Sequence, residues 1–185
     1  MSNIQDNNLP DRDCHFEASD SRSPKVEILV DPSIVESIDQ ARLSAAVVAA
    51  ARFRGFTTGV IGIRITDNAT IHHCNCQFMD HDYPTDVISF GYDLCPPRLE
   101  GEMIVSVEMA RHRAQDVGWS SDSELLLYVV HGTLHIAGMD DQDAKSRAAM
   151  RAAEQQVLIS LGIDEIVRFG ADAHPPLGPR PEELA

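Results

Sequence analysis

The feature that most constrains the fold of this chain is an apolar segment, residues 125–138, that carries no charged side chain. It contains two histidines, His131 and His135, four residues apart. Ser121 and Glu124 precede it as a Ser-x-x-Glu capping box, a pattern typical of a helix N-terminus. A helix that is apolar on every side is buried in a globular protein. The sequence therefore predicts a domain built around a buried helix that carries two imidazoles.

The spacing of the two histidines indicates a metal site. Residues four apart lie on one face of a helix, so His131 and His135 can offer nitrogens to a common point. Gly138 is placed to end the helix, and Asp140 and Asp141 follow directly. Two histidines and a carboxylate are a known ligand set of catalytic zinc. Histidine pairs at this spacing also arise by chance, but two buried imidazoles without partners are costly. We therefore interpret the chain as a metal-dependent hydrolase.

Three segments carry a family resemblance. Residues 131–141 read His-Gly-Thr-Leu-His-Ile-Ala-Gly-Met-Asp-Asp, residues 84–90 read Pro-Thr-Asp-Val-Ile-Ser-Phe, and residues 99–106 read Leu-Glu-Gly-Glu-Met-Ile-Val-Ser. In order and spacing they resemble the signatures of the YbeY family, single-domain bacterial endoribonucleases of ribosomal RNA maturation. The resemblance implies a zincin-like fold, one zinc ion per chain and single-strand-specific RNA cleavage. It also implies a role at the 3' end of 16S rRNA and in ribosome quality control, with the ribosome or a ribosomal protein as partner.

The chain departs from the family pattern at two positions. Asp141 stands where the family has a third histidine ligand, and Met79 stands where it has an arginine. Aspartate is a legitimate zinc ligand, so the expected metal set is His131, His135 and Asp141. Methionine cannot make the bidentate phosphate contact of arginine, so a non-catalytic, ribosome-associated assembly factor is the alternative function. The arginines considered as replacements are Arg54, Arg64 and Arg113.

The resemblance also suggests side chains on the substrate side of the metal. These are Thr85 and Asp86 of the second segment and Asp140 of the acidic turn, while the catalytic residues themselves are not assigned. The histidine spacing is shared with some zinc proteases, but Gly132 replaces the glutamate that serves there as general base. A metalloprotease is thus the less favoured alternative, with Glu102, Asp86 or Asp140 as the acids left for that role.

Hydrophobic periodicity predicts an α+β domain with a small, four-stranded mixed sheet packed by helices. Residues 25–162 form this metal-dependent hydrolase domain, between a disordered N-terminal arm at 1–24 and a flexible, acidic, proline-rich tail at 163–185. Strands are predicted at 26–30, 60–65, 87–90 and 103–107. Helices are predicted at 34–54, from a cap at residue 67 to about 79, at 108–117, from about 122 to 138, and at 143–161.

Composition limits the partners. With 29 acidic and 15 basic residues, the formal net charge is −14, whereas nucleic-acid binders usually show a basic footprint. Binding of ribosomal RNA would therefore need a local basic groove or a ribosomal partner, and neither DNA nor a membrane is expected.

Four cysteines without a regular framework, and no basic segment followed by an apolar stretch at the N-terminus, indicate a cytoplasmic protein with reduced thiols.

Overall fold

The computed structural model describes residues 23–79 and 81–163. The predicted arm and tail lie outside these residues, apart from positions 23, 24 and 163. The strands are Lys25–Val30 (β1), Thr58–Thr66 (β2), Val87–Cys95 (β3) and Arg98–Ser106 (β4). The helices are Gln40–Phe53 (α1), Asn68–Met79 (α2), Val107–Val117 (α3), Ser121–Ile136 (α4) and Ala144–Ser160 (α5).

The four strands form one mixed sheet in the order β1-β2-β4-β3. β1 and β4 flank β2 in parallel, and β3 pairs antiparallel with β4 at the edge. Alternation sorts the side chains of β2, so that Ile61, Ile63 and Ile65 are buried on one face. The predicted α+β class with a four-stranded mixed sheet is confirmed.

Helix α4 is the centre of the core. It contacts β3 and β4 on one side and α1, α3 and α5 on the others, so its apolar surface is buried all round, as the sequence predicted. Gly132 explains how closely it approaches the sheet, because a Cβ there would lie 3.0 Å from Ser89 Oγ and 3.0 Å from Val87 Cγ2. Position 132 thus faces the sheet, where a glutamate could not act as the general base of a protease.

The first helix begins later than predicted. Ile34 lies in a turn instead, where its N–H donates to the carbonyl of Asp31. The helix starts at Gln40 because Asp39 is a good N-cap, whose side chain accepts from the N–H of Arg42. The apolar periodicity upstream of residue 40 reflects packing of the preceding loop on the core.

The N-terminus of α4 also differs in detail from the predicted capping box. Ser120, not Ser121, is the N-cap, and its hydroxyl accepts from the N–H of Ser123. Glu124 is fully buried and accepts from Trp119 Nε1 at 2.7 Å. The Glu124 carboxylate therefore accepts from an indole, and the N-cap lies one residue before the predicted one.

On the other face of the sheet, α2 packs through Ile71 and Cys74 against Ile88. Cys74 is buried and Cys76 is exposed, and neither forms a disulfide. The expectation of four reduced thiols is wrong for Cys95, which is disulfide-bonded. Across residues 23–79 and 81–163, no helix has both the length and the apolar character needed to cross a bilayer.

Candidate metal centre

The predicted ligands converge at the C-terminal end of α4. His131 Nε2 lies 2.9 Å from His135 Nε2, and the carboxylate of Asp141 lies 3.8 Å from the first nitrogen and 3.7 Å from the second. A tetrahedral ion with bonds of about 2.0 to 2.2 Å separates its ligand atoms by roughly 3.3 to 3.6 Å. The two imidazole nitrogens are closer than this range, and the two carboxylate contacts, which use different oxygens of Asp141, are slightly longer. Small side-chain adjustments would therefore let the group hold a metal.

The turn after α4 delivers the carboxylate. Gly138 has a positive φ of 81°, a conformation that glycine adopts without steric cost. The chain then folds back, so that the carbonyl of Met139 reaches His135 Nδ1 at 3.0 Å. Asp140 Oδ1 accepts from the N–H of Asp141 at 2.8 Å. Asp140 therefore shapes the turn, and Asp141 is left to face the imidazoles.

The outer nitrogens of both imidazoles are held by acceptors. His131 Nδ1 lies 2.6 Å from Glu154 Oε1, and His135 Nδ1 faces the Met139 carbonyl. An acceptor at each Nδ1 favours the tautomer that carries its proton there, and such a tautomer would leave Nε2 available to a metal ion. Orientation of a ligating histidine by a carboxylate or a carbonyl is characteristic of metal sites.

Glu154 was missed by the sequence reasoning. It lies on α5 among the buried side chains Met150, Ala153 and Val157, and is only 6% exposed. Buried carboxylates are rare unless paired. A single acid inside the apolar stripe of an amphipathic helix was therefore the signal that Glu154 has a buried partner. That partner, His131, lies 23 residues away in sequence.

The surroundings shift the pKa values of the two imidazoles in opposite directions. Burial opposes the charged form of His131, but the hydrogen bond and charge of Glu154, with Asp86 and Asp141, raise its pKa above the usual value. Burial and the adjacent charge on His131 lower the pKa of His135. The surroundings therefore favour a proton on His131 and disfavour one on His135. A divalent cation could bind to the Nε2 atoms of both imidazoles and to the Asp141 carboxylate, so this set of side chains fits a metal.

A cavity of about 480 Å³ opens in front of the centre. The structure brings two of the predicted substrate-side residues, Thr85 and Asp86, to its wall, and Met79 also lines it. Asp140 is not among the described lining residues, since its side chain is engaged in the turn. The wall contains no lysine or arginine among the residues that the structure describes. The lining residues are Asn75, Met79, His81, Tyr83, Thr85, Asp86, Val87, Ile88, Ser89, Gly91, His131, His135, Ile136 and Asp141.

The arginines considered as replacements for position 79 lie elsewhere. The Arg64 guanidinium donates to Asp31 at 3.0 Å and lines a separate groove of about 670 Å³ on the opposite sheet face. Glu102 lines the same groove and accepts from Tyr92 Oη at 3.0 Å. Neither Arg64 nor Glu102 can therefore act at the metal centre. Arg54 and Arg113 do not line the cavity either.

Comparisons with known proteins agree with this architecture. A relative from Rhodopirellula baltica, an "Endoribonuclease YbeY", is 50% identical over 135 residues, which are 72% of this chain and 70% of that protein. A second, from Elusimicrobium minutum and of the same name, is 36% identical over 107 residues, 56% of this chain and 75% of that protein. A solution structure from Thermotoga maritima superposes with a TM-score of 0.50 at 18% identity, covering 84% of this chain and 99% of that one, and supports the fold. The family model described as Endoribonuclease YbeY matches residues 32–162, which include both histidines and Asp141, and this chain therefore belongs to the YbeY endoribonuclease family.

Proposed function

We propose that this protein is a zinc-dependent, single-strand-specific endoribonuclease that acts in ribosomal RNA maturation, at the 3' end of 16S rRNA, and in ribosome quality control. Family membership supports RNA hydrolysis. The observation that carries the proposal is the triangle of His131, His135 and Asp141 with both Nδ1 atoms anchored outward. An ordinary buried histidine pair does not need a third donor facing it, whereas a bound cation does.

Each residue of the site has a proposed task. His131 and His135 would hold the ion through Nε2, with Asp141 as third ligand. Glu154 would fix the orientation of the His131 imidazole through its contact with Nδ1. Zinc held there would act as a Lewis acid on a phosphodiester. The Thr85 hydroxyl and the Asp86 carboxylate, which are hydrogen-bonded to each other at 3.0 Å, would position polar groups of the nucleotide.

The charge of the chain determines how RNA is recruited. The net charge is −14, and the described cavity wall offers no guanidinium or ammonium group. Phosphate neutralisation supplies most non-specific affinity for nucleic acid, and little of it is available at this wall. We therefore propose that the ribosome or a ribosomal protein is the partner that presents the ribosomal RNA to the site. The proposed localisation, the cytoplasm, follows from this partner.

The test combines metal content with cleavage. The dialysed wild-type chain should retain one tightly bound zinc and cut a single-stranded RNA with the 16S 3' end, but not its duplex form. His135→Ala should lose both the zinc and the cleavage, while the control His112→Ala, at an exposed histidine of α3, should keep both. Cleavage by metal-free His135→Ala protein would contradict the proposal.

A second candidate is a non-catalytic, ribosome-associated assembly factor. The observation that favours it is Met79 at the cavity wall, whose described lining residues include no lysine or arginine. Met79→Arg and Asp141→His restore the two family residues, singly or together. Activity seen only in these variants would support the non-catalytic function, whereas chelator-sensitive cleavage by the wild-type chain would support the enzyme.

A further inference from the structure

We propose that His72, Cys76 and Asp82 form a second divalent-metal site, separate from the centre at His131. One ligand atom from each lies within 4.8 Å of the others. His72 Nε2 is 2.9 Å from Asp82 Oδ1, and Cys76 Sγ is 3.6 Å from the same oxygen. With bonds of about 2.0 Å to nitrogen or oxygen and about 2.3 Å to sulfur, a tetrahedral ion needs separations of roughly 3.3 to 3.6 Å. Small side-chain adjustments would complete the site.

The two clusters have the same sequence spacing. In each, two ligands lie four residues apart on a helix, and a carboxylate follows ten residues after the first ligand. The first cluster is His131, His135 and Asp141, and the second is His72, Cys76 and Asp82. A helix that ends between the second and third ligands lets the chain return over its own last turn. The second cluster thus uses a chain geometry that this fold already uses once for metal donors.

The position of Asp82 is fixed by contacts outside the cluster. Asn75 is 3% exposed, and its side-chain amide donates to the carbonyl of Tyr83 at 2.8 Å. The Asn75 carbonyl accepts from the N–H of His81 at 3.3 Å. The residues on both sides of Asp82 are therefore tied to α2. The carboxylate meets His72 and Cys76 because the backbone places it there, although its side chain is 94% exposed.

The donor set selects the class of ion. Imidazole, thiolate and carboxylate together suit zinc and similar transition metals, whereas magnesium and calcium prefer oxygen alone. Binding requires that the Cys76 thiol release its proton to solvent as the sulfur–metal bond forms. Because Cys76 and Asp82 are exposed, the ion would exchange with solvent and bind more weakly than at His131.

A metal at this position would connect the second site to the first. It would join α2 to residues 81–86, and His81, Tyr83, Thr85 and Asp86 of that segment line the cavity in front of the metal centre. The second ion would act from outside the cavity, where it holds the wall in place. Its expected role is to order this wall when metal is abundant.

Cobalt(II) titration of the metal-free full-length chain tests the proposal. Wild-type protein should bind two equivalents, and the weaker one should bring a sulfur-to-cobalt charge-transfer band. The candidate ligands of the first centre, His131, His135 and Asp141, include no sulfur, so the band should report the second site alone. Cys76→Ser should abolish the band and weaken the second equivalent by at least about tenfold. Asp82→Asn should shift the band to higher cobalt concentration by a similar factor.

Two control variants separate the sites. Cys74→Ala removes a buried thiol of the same helix and should keep both equivalents and the band. His135→Ala should lose the tight equivalent and keep the band, whether or not the protein cleaves RNA. Amide exchange at residues 81–86 should slow with the second equivalent in wild type and not in Cys76→Ser. A single equivalent without a sulfur band, or a band that survives Cys76→Ser, would overturn the proposal.

Discussion

Glu154 offers the sharpest test of how the metal centre is built. Glu154 Oε1 lies 2.6 Å from His131 Nδ1 and is buried on α5. Loss of such an outer partner typically weakens metal affinity by about 10- to 100-fold, equivalent to about 1.4 to 2.8 kcal/mol. Glu154→Gln keeps an acceptor for the Nδ1 proton and removes only the charge, so we expect the lower figure. Glu154→Ala removes both, so we expect the upper one.

The assay is competition for zinc between the protein and a chromophoric chelator, read alongside urea unfolding of the metal-free protein. Glu154→Ala leaves the His131 N–H unsatisfied and should also lower the free energy of unfolding by about 1 to 3 kcal/mol. Glu102→Gln is the matched control, because it removes a carboxylate on the opposite sheet face and should leave zinc affinity unchanged. Zinc affinity that stays within a factor of two in both Glu154 variants would refute the assigned role of Glu154.

Two further predictions concern the scaffold. A Cβ at Gly101 would lie 2.6 Å from Phe90 O and 2.6 Å from Ile136 Cγ2, so Gly101→Ala should cost about 1 to 3 kcal/mol of stability in urea unfolding, and an unchanged midpoint would count against this packing. The hydrogen bond from Arg64 lowers the pKa of Asp31 against the effect of burial. The stability that Asp31 provides is therefore present above its unfolded pKa of about 3.9 and is lost as the pH falls through the lower folded value. Asp31→Asn should accordingly destabilise by about 1 to 3 kcal/mol at pH 7, with a difference that shrinks in acid; a pH-independent difference would exclude this ion pair as the cause.

Much of the candidate centre could be predicted from local sequence, because its first two candidate ligands share one helix. His131 and His135 are related by helical geometry alone, and Gly138 predicts the turn that brings Asp141 back. Similarly, the alternation in β2 and the charge-free helix α4 predict which surfaces are buried. These features depend on neighbours close in the chain, where periodicity is informative.

What could not be predicted depends on contacts that are distant in sequence. The partner of Glu154 comes from another helix, and the cavity wall comes from α2 and the loop after it. Glu102 and Arg64 lie on the sheet face opposite the centre. Their side chains can be assigned to that face only when the strand order and register are known. The start of α1 was predicted too early because apolar residues of the preceding loop also pack on the core. The cap of α4 was misplaced by one residue because Ser120 and Ser121 can both fill that role.

Helix α4 is wedged among a sheet and three other helices, and this has a consequence for ion selectivity. The helix backbone that carries His131 and His135 is held by this packing, because close-packed interiors resist deformation. We therefore expect only side-chain movements to adjust the spacing of the two imidazoles. Calcium, with six to eight oxygens at about 2.3 to 2.6 Å, would need a wider and more compliant ring of donors. We therefore expect the stiff hydrophobic interior to disfavour large cations at this site, and mutations that soften the interior should relax that discrimination before they unfold the chain.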